Sequence, residues 1–193
     1  MYSRQLAAAA CLVLSLGFAA AEDAIITNYD PGIDCKIIEQ TDHFVDYRCP
    51  GISGVDVWFS IGDSRWTVAF HPNEPTGIVL SQGFNLAHHP DLSIEWRFAN
   101  GEPSAAIQRW RFFNGGDELD TGTFVVTKID GDEVCHIALV DIAANISDDD
   151  EEAVLQMARD FADANAQDFS CENDPKWLGN PPLLAGHTHN TFR

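Results

Sequence analysis

Between Thr121 and Cys171 the spacing of apolar residues changes from two to three-and-four, and that change marks the most readable unit of the chain. Thr123-Phe-Val-Val-Thr-Lys-Ile129 is a run of β-branched and aromatic residues, the composition of a pleated, half-buried strand. Asp130-Gly131 follows and predicts a hairpin turn of type I′, whose two central residues need φ > 0. On the return strand, Glu133 to Asp141, alternation places Cys135, Ile137 and Leu139 on one face. Val134, His136, Ala138 and Val140 take the other. Both faces are largely apolar, so this is expected to be a central strand. From Ser147 the period becomes helical. Val154, Met157, Ala158, Phe161, Ala162 and Phe169 form an apolar stripe. Ser147 and Asp150 have the spacing of a capping box, and the acids from Asp148 to Glu152 sit where the helix dipole is positive. The helix is expected to end at Cys171, where a bond to Cys135 would pin it across the sheet.

Upstream, short apolar runs alternate with turn residues. Asp34–Glu39 and Phe44–Cys49 flank Thr41-Asp42-His43; Val55–Ile61 and Arg65–His71 flank Gly62-Asp63-Ser64. Ile78–Phe84 is a weaker strand. Leu92–Phe98 and Ala105–Phe113 flank Asn100-Gly101-Glu102-Pro103. Strands spaced in this way, with one late helix, predict an α+β domain: an antiparallel sheet of hairpin-connected strands with a C-terminal helix packed on it, stapled by disulfides. No repeat and no linker interrupts it.

The first 21 residues read as a signal peptide: Arg4 supplies the positive end, Leu6 to Phe18 the apolar stretch, and Ala19-Ala20-Ala21 the small-residue cleavage site. Cys11 lies inside the apolar stretch, with Ala8 where a lipidation motif would place Leu, so lipidation is not expected. The remaining chain is expected to form one domain over 22–175 and an irregular Pro-, Gly- and Asn-rich tail over 176–193, docked through Trp177, Leu183 and Leu184. Nothing after the leader is long and apolar enough to span a bilayer. A periplasmic or secreted location follows.

Cleavage removes one of the five cysteines and leaves Cys35, Cys49, Cys135 and Cys171, an even set that reads as a disulfide framework in an exported chain. Four cysteines allow three pairings. Pairing of sequence neighbours, 35 with 49 and 135 with 171, is the expectation, since the first would cross-link a hairpin. Losing Arg4 leaves ten basic residues against 30 acidic, a net charge of −20. Such a surface does not suit nucleic acid, which requires basic patches. It favours solubility or a cationic partner.

Chemistry is sparse. Arg97, Arg109 and Arg111 fall on one face of the Leu92–Phe113 hairpin, opposite Ile94, Trp96, Phe98, Trp110 and Phe112. Arginine forks bind carboxylate or phosphate bidentately, so this face is the ligand-binding candidate, for a small anion. The competing reading is that these arginines pair with Glu95, Glu102 and other acids of the chain itself. His88-His89 in a Pro-containing loop, His71, and His187-Thr-His189 in the tail are weak candidates for Cu or Zn. Their spacing specifies no site, and His136 reads as a satisfied strand residue. The acidic run 148–152 lacks the ligand alternation of a calcium loop. Gly51-Ile-Ser-Gly54 is not a nucleophile elbow, paired cysteines leave no thiol nucleophile, and no phosphate-cradling loop is present. No catalytic residue and no cofactor is expected.

Ile94-Glu-Trp-Arg with Gly101-x-Pro103 and Ile107-x-Arg-Trp110 forms one familiar stretch. Cys135-His-Ile-Ala-Leu-Val-Asp141, Ala158-Arg-x-x-Ala162-Asp163 and Phe169-x-Cys171 form another. Together they resemble a group of uncharacterised small exported proteins of alphaproteobacteria. The resemblance covers about half of the mature chain; it implies a periplasmic setting and the 135–171 pairing, and it implies no activity. The expectation is a non-catalytic binding or interaction protein, with a metal-binding protein or an inhibitor of a cationic exported enzyme as alternatives.

Overall fold

The computed structural model describes residues 24–62, 65–73, 84, 87–114, 117–142 and 147–179. The expected signal peptide, most of the weak strand at Ile78–Phe84, and the tail beyond Gly179 lie outside them. The elements run β1 (Ile25–Asn28), α1 (Pro31–Asp34), β2 (Lys36–Gln40), β3 (Phe44–Ile52), β4 (Val55–Gly62), β5 (Arg65–His71), β6 (Ala87–Ala99) and β7 (Glu102–Asn114). Then come β8 (Asp117–Asp130), β9 (Glu133–Ile142), α2 (Asp148–Asn165) and β10 (Lys176–Leu178).

All the described strands belong to one ten-stranded sheet, ordered β10-β9-β8-β7-β6-β5-β4-β3-β2, with β1 paired to β6. The architecture is largely β with one long helix, and the sheet is mixed rather than wholly antiparallel. β5 meets β6 in parallel through Arg65 and His88, and β10 runs parallel to β9. Residues 176–178, expected to be irregular, supply that last strand.

The sheet is strongly curled. Tyr29 donates its backbone N–H to Leu92 O on β6 and its phenol O–H to Pro50 O on β3, both at 3.0 Å. In a flat sheet β3 and β6 would stand about 14 Å apart, three spacings of about 4.8 Å. One residue bonded to β6 by its backbone and to β3 by its side chain requires β2–β5 to fold over β6–β9. The enclosed face is one core containing Val57, Phe59, Val68 and Phe70 from one half and Ile94, Trp96, Trp110, Val125 and Leu139 from the other. Phe70 meets Trp96 edge to face at 5.5 Å. Gly51 is required at this closure: a Cβ there would lie 1.9 Å from Val55 O and 3.2 Å from the Trp96 ring.

The opposite face of β7–β9 carries Ile107, Phe124, Val126, Ile137, Ala138 and Val140, and α2 covers it with Ala158, Ala162 and Ala166. Small residues on the helix let its axis approach the sheet. Ser147 caps α2 with the expected capping box to Asp150. The helix ends at Asn165, short of Cys171, and Met157 stays 42% exposed off the stripe.

Two local expectations are corrected. The β8–β9 turn has Gly131 and Asp132 at its centre, since Asp130 pairs with Glu133, and only Gly131 has positive φ (59°). That pattern belongs to a II′ turn, not I′. In β9 the partners are Val126–Ala138 and then Thr127–His136, which leaves Ile137 as an extra residue. This bulge shifts the alternation by one. Cys135, Ile137, Ala138 and Val140 therefore face α2, while Leu139 joins the enclosed core.

Both expected disulfides are present, Cys35–Cys49 and Cys135–Cys171, the latter with Cα atoms 5.7 Å apart and 36 residues of separation. Buried Lys128 donates to Phe169 O at 2.9 Å and to Glu133 Oε2 at 3.0 Å, which fixes the chain between α2 and Cys171. Replacing Cys135 and Cys171 together by serine is expected to lower the unfolding free energy by roughly 2–4 kcal/mol. Urea denaturation under non-reducing conditions measures it.

Candidate functional site

Arg97 on β6 and Arg109 and Arg111 on β7 do share one face, as alternation predicts, because Arg97 pairs with Ala105 and the apolar Ile94 and Trp96 turn to the enclosed core. The face is not open. α2 lies against it and supplies carboxylates, so the forks are occupied by the chain's own acids.

Glu95, 6% exposed, is the centre of the arrangement. Its Oε1 accepts from Arg97 Nη1 at 3.1 Å and from Arg159 Nε at 2.8 Å, and its Oε2 accepts from Arg159 Nη2 at 2.8 Å. Arg97, 8% exposed, continues to α2 with a fork onto Asp163: Nε to Oδ1 at 2.9 Å and Nη2 to Oδ2 at 2.5 Å. Arg159 also reaches Glu152 Oε1 at 2.6 Å. Further along, Arg109 Nη2 lies 3.0 Å from Glu151 Oε2. Arg111 forks onto Asp91, at 2.5 and 3.1 Å. The hydrogen bond to Asp163 raises the pKa of Arg97, and that to Glu95 raises Arg159, each above the ordinary guanidinium value against the opposing effect of burial. The contacts of Arg97 with Asp163, Arg109 with Glu151 and Arg159 with Glu95 are charge-assisted, partly bidentate links between sheet and helix, and what they do chemically is hold α2 in place.

The candidate anion face is thus a clasp. The expected partner Glu95 is confirmed, while the others come from α2 and from Asp91 rather than from Glu102. Of the residues expected only to meet the helix dipole, Glu151 reaches across to Arg109 on the sheet, while Glu152 pairs with Arg159 on its own helix. Arg159 and Asp163 are site residues that strand alternation could not find. Their four-residue spacing puts them on one helix face, but nothing local says which strands that face meets.

Among the described residues the candidate histidines do not converge. His88 and His89 lie on β6, not in a loop, and successive strand residues point to opposite faces. His88 is buried, with Nε2 donating to Trp66 O at 3.0 Å, among Phe84, Trp110 and Phe112. His89 packs on Phe113 with ring centroids 4.8 Å apart. His71 Nδ1 lies 3.0 Å from Asn73 O. His187 and His189 lie outside the described residues. Among the described residues no group of three His, Cys, Asp or Glu side chains comes together as a metal would require.

Two buried titratable groups face the enclosed core: His136, expected from sequence to be a satisfied strand residue, and Asp141, which sequence reading did not single out. His136 is buried, shares a 2.9 Å hydrogen bond with Thr127 Oγ1, and is pushed down to about 3 by burial. Asp141, 7% exposed, is pushed up to about 6 by burial, and its Oδ1 has no hydrogen-bond partner among the described residues. A depression of about 210 Å³ lies where the β6–β7 and β8–β9 hairpins meet the end of α2, lined by Glu102, Pro103, Ser104, Asp130 and Gln167 among others.

No protein-family model, curated protein or solved structure matches this chain.

Proposed function

We propose that this is a non-catalytic interaction protein of the periplasm or the extracellular space, whose partner is cationic. One observation carries the reading. At least six of the 11 Lys and Arg residues (Arg48, Arg97, Arg109, Arg111, Lys128 and Arg159) are held by carboxylates of the same chain, against 30 acids in all. The few cations are largely consumed in holding the fold together, so what the exterior offers a partner is negative potential. That potential attracts basic surfaces and speeds their encounter. An open anion site loses its support for the same reason, since its three arginines are occupied. Two disulfides suit an oxidising compartment, the setting also implied by the leader-like N-terminus and by the resemblance to exported alphaproteobacterial proteins.

The test is titration of the intact protein with a lysozyme and with other cationic exported proteins, by calorimetry at low and at physiological ionic strength. Saturable one-to-one binding that survives physiological salt is expected for at least one of them. Weak attraction that vanishes with screening, equal to that of an unrelated protein of the same charge, would contradict the reading.

A further inference from the structure

Two hairpin tips and the end of α2 together shape the depression of about 210 Å³. Asn100 and Gly101, with φ of 56° and 83°, form a type I′ turn, and Glu102 follows it, paired back to Ala99. β7 then runs beside β8 with Ala105 opposite Lys128. Continued by two residues, that register brings Pro103 beside Asp130, the residue at which β8 meets its own turn at Gly131. Ala166 closes α2 from above, and Gln167 follows it at the margin.

The lining combines two kinds of surface. Ile129 and Ala166 are buried and make an apolar floor, whereas Glu102 and Asp130 are exposed and stand at the rim. Three features make that rim negative. Among the described residues the Glu102 carboxylate is in no hydrogen bond or ion pair, since Arg97, Arg109 and Arg111 are taken by other acids. Asp130 Oδ2 lies 3.7 Å from Lys128 Nζ, but that ammonium makes its closer contacts with Glu133 and Phe169 O, at 3.0 and 2.9 Å. α2 has no basic residue in its last turn, so the partial negative charge at its C-terminal end is not balanced from within the helix.

The volume is smaller than the about 300–1,000 Å³ of pockets that take up a drug-sized ligand. It suits a single long side chain. A basic one matches both surfaces: its methylenes cover the apolar floor while its charged head stays at the wet, negative rim. Among the described residues no three His, Cys, Asp or Glu side chains gather as a metal ion would need, which favours an organic cation here. We propose that this depression is the anchor for one lysine or arginine side chain of a cationic protein partner. The inference rests on the reading that the partner is cationic, and adds where it is gripped and by which group.

NMR titration of the intact, oxidised protein with N-acetyl-lysinamide and N-acetyl-argininamide tests the anchor without any choice of partner. For at least one of them, saturable shifts are expected at the amides of Glu102, Gly131 and Gln167, with a Kd on the order of 1 mM. N-acetyl-norleucinamide, which has an apolar stem without the charge, should produce none. Glu102→Gln combined with Asp130→Asn should weaken binding about tenfold. Glu39→Gln combined with Asp42→Asn removes the same charge at the β2 edge of the sheet and should leave it within about twofold. Absence of saturable shifts at these amides, equal binding of the norleucine compound, or equal losses in the two double variants overturns the anchor. Calorimetry with cationic proteins separates this inference from the reading beneath it. A protein that binds wild type and the Glu102→Gln, Asp130→Asn variant equally well condemns the anchor alone. Amide binding with no cationic protein bound condemns the protein partner alone.

Discussion

Replacing Glu95 by alanine is expected to lower the unfolding free energy by about 3–5 kcal/mol, the range for removing one partner of a buried charge network. Glu95 accepts two short contacts from Arg159 on α2 and one from Arg97 on its own strand, and its loss leaves these two guanidinia facing each other with little water between them. The damage should concentrate on α2, whose amides should lose protection before those of β7 and β8. Glu95→Gln keeps a single acceptor oxygen and should lose less than alanine. Glu152→Ala removes a contact whose carboxylate is 63% exposed, and should stay within about 1 kcal/mol of wild type. Urea denaturation of the three variants reads all of this. Near-equal effects of Glu95→Ala and Glu152→Ala would mean that burial does not govern the network.

The second large effect is acid sensitivity from His136. Its folded-state value of about 3 lies below the ordinary 6.5, so its contribution to stability is present above pH 6.5 and is lost as pH falls towards 3. Between pH 7 and pH 4 the unfolded chain gains a proton on this ring that the folded protein refuses, worth about 3 kcal/mol. His136→Asn retains a polar atom to meet Thr127 and cannot titrate in this range. It should be less stable than wild type at pH 7, and the difference should shrink by about 3 kcal/mol at pH 4. Comparing the two proteins at each pH cancels the titration of the many surface acids. A difference that does not change with pH would show that His136 is hydrated and charged in acid. Asp141 acts in the opposite sense, its contribution being present at low pH and lost through about 6. Over the shared interval the two slopes oppose one another in the wild-type protein, so only the single variants separate them.

What could be read from sequence was local. Ser147 and Asp150 carry their capping geometry in their spacing, and Arg97 and Arg109 were assigned to the right face because β6 and β7 alternate regularly at those positions. The neighbour pairing of cysteines held because each pair closes a short excursion of chain. What could not be read was whatever depends on a remote partner or on a one-residue slip. A single extra residue at Ile137 moves Leu139 from one core to the other, and no period-two reading reveals where such a slip falls. Three residues at 176–178 have no pattern long enough to announce a parallel strand. The arginine face looked outward because a strand records only which side a residue is on. Whether that side meets solvent or α2 is decided by Ala158, Ala162 and Ala166, some fifty residues or more away, which let the helix sit close enough for Asp163 and Arg159 to engage.

The measurement that bears most directly on the clasp is a double-mutant cycle of Arg97→Ala and Asp163→Ala, by urea denaturation at physiological ionic strength. The forked contact between them is expected to give a coupling energy of about 1–3 kcal/mol, with the added Arg97→Ala change costing much less once Asp163 is gone. Additive losses, with coupling below about 0.3 kcal/mol, would mean that Arg97 is free to serve an external anion and that the face is a binding surface after all.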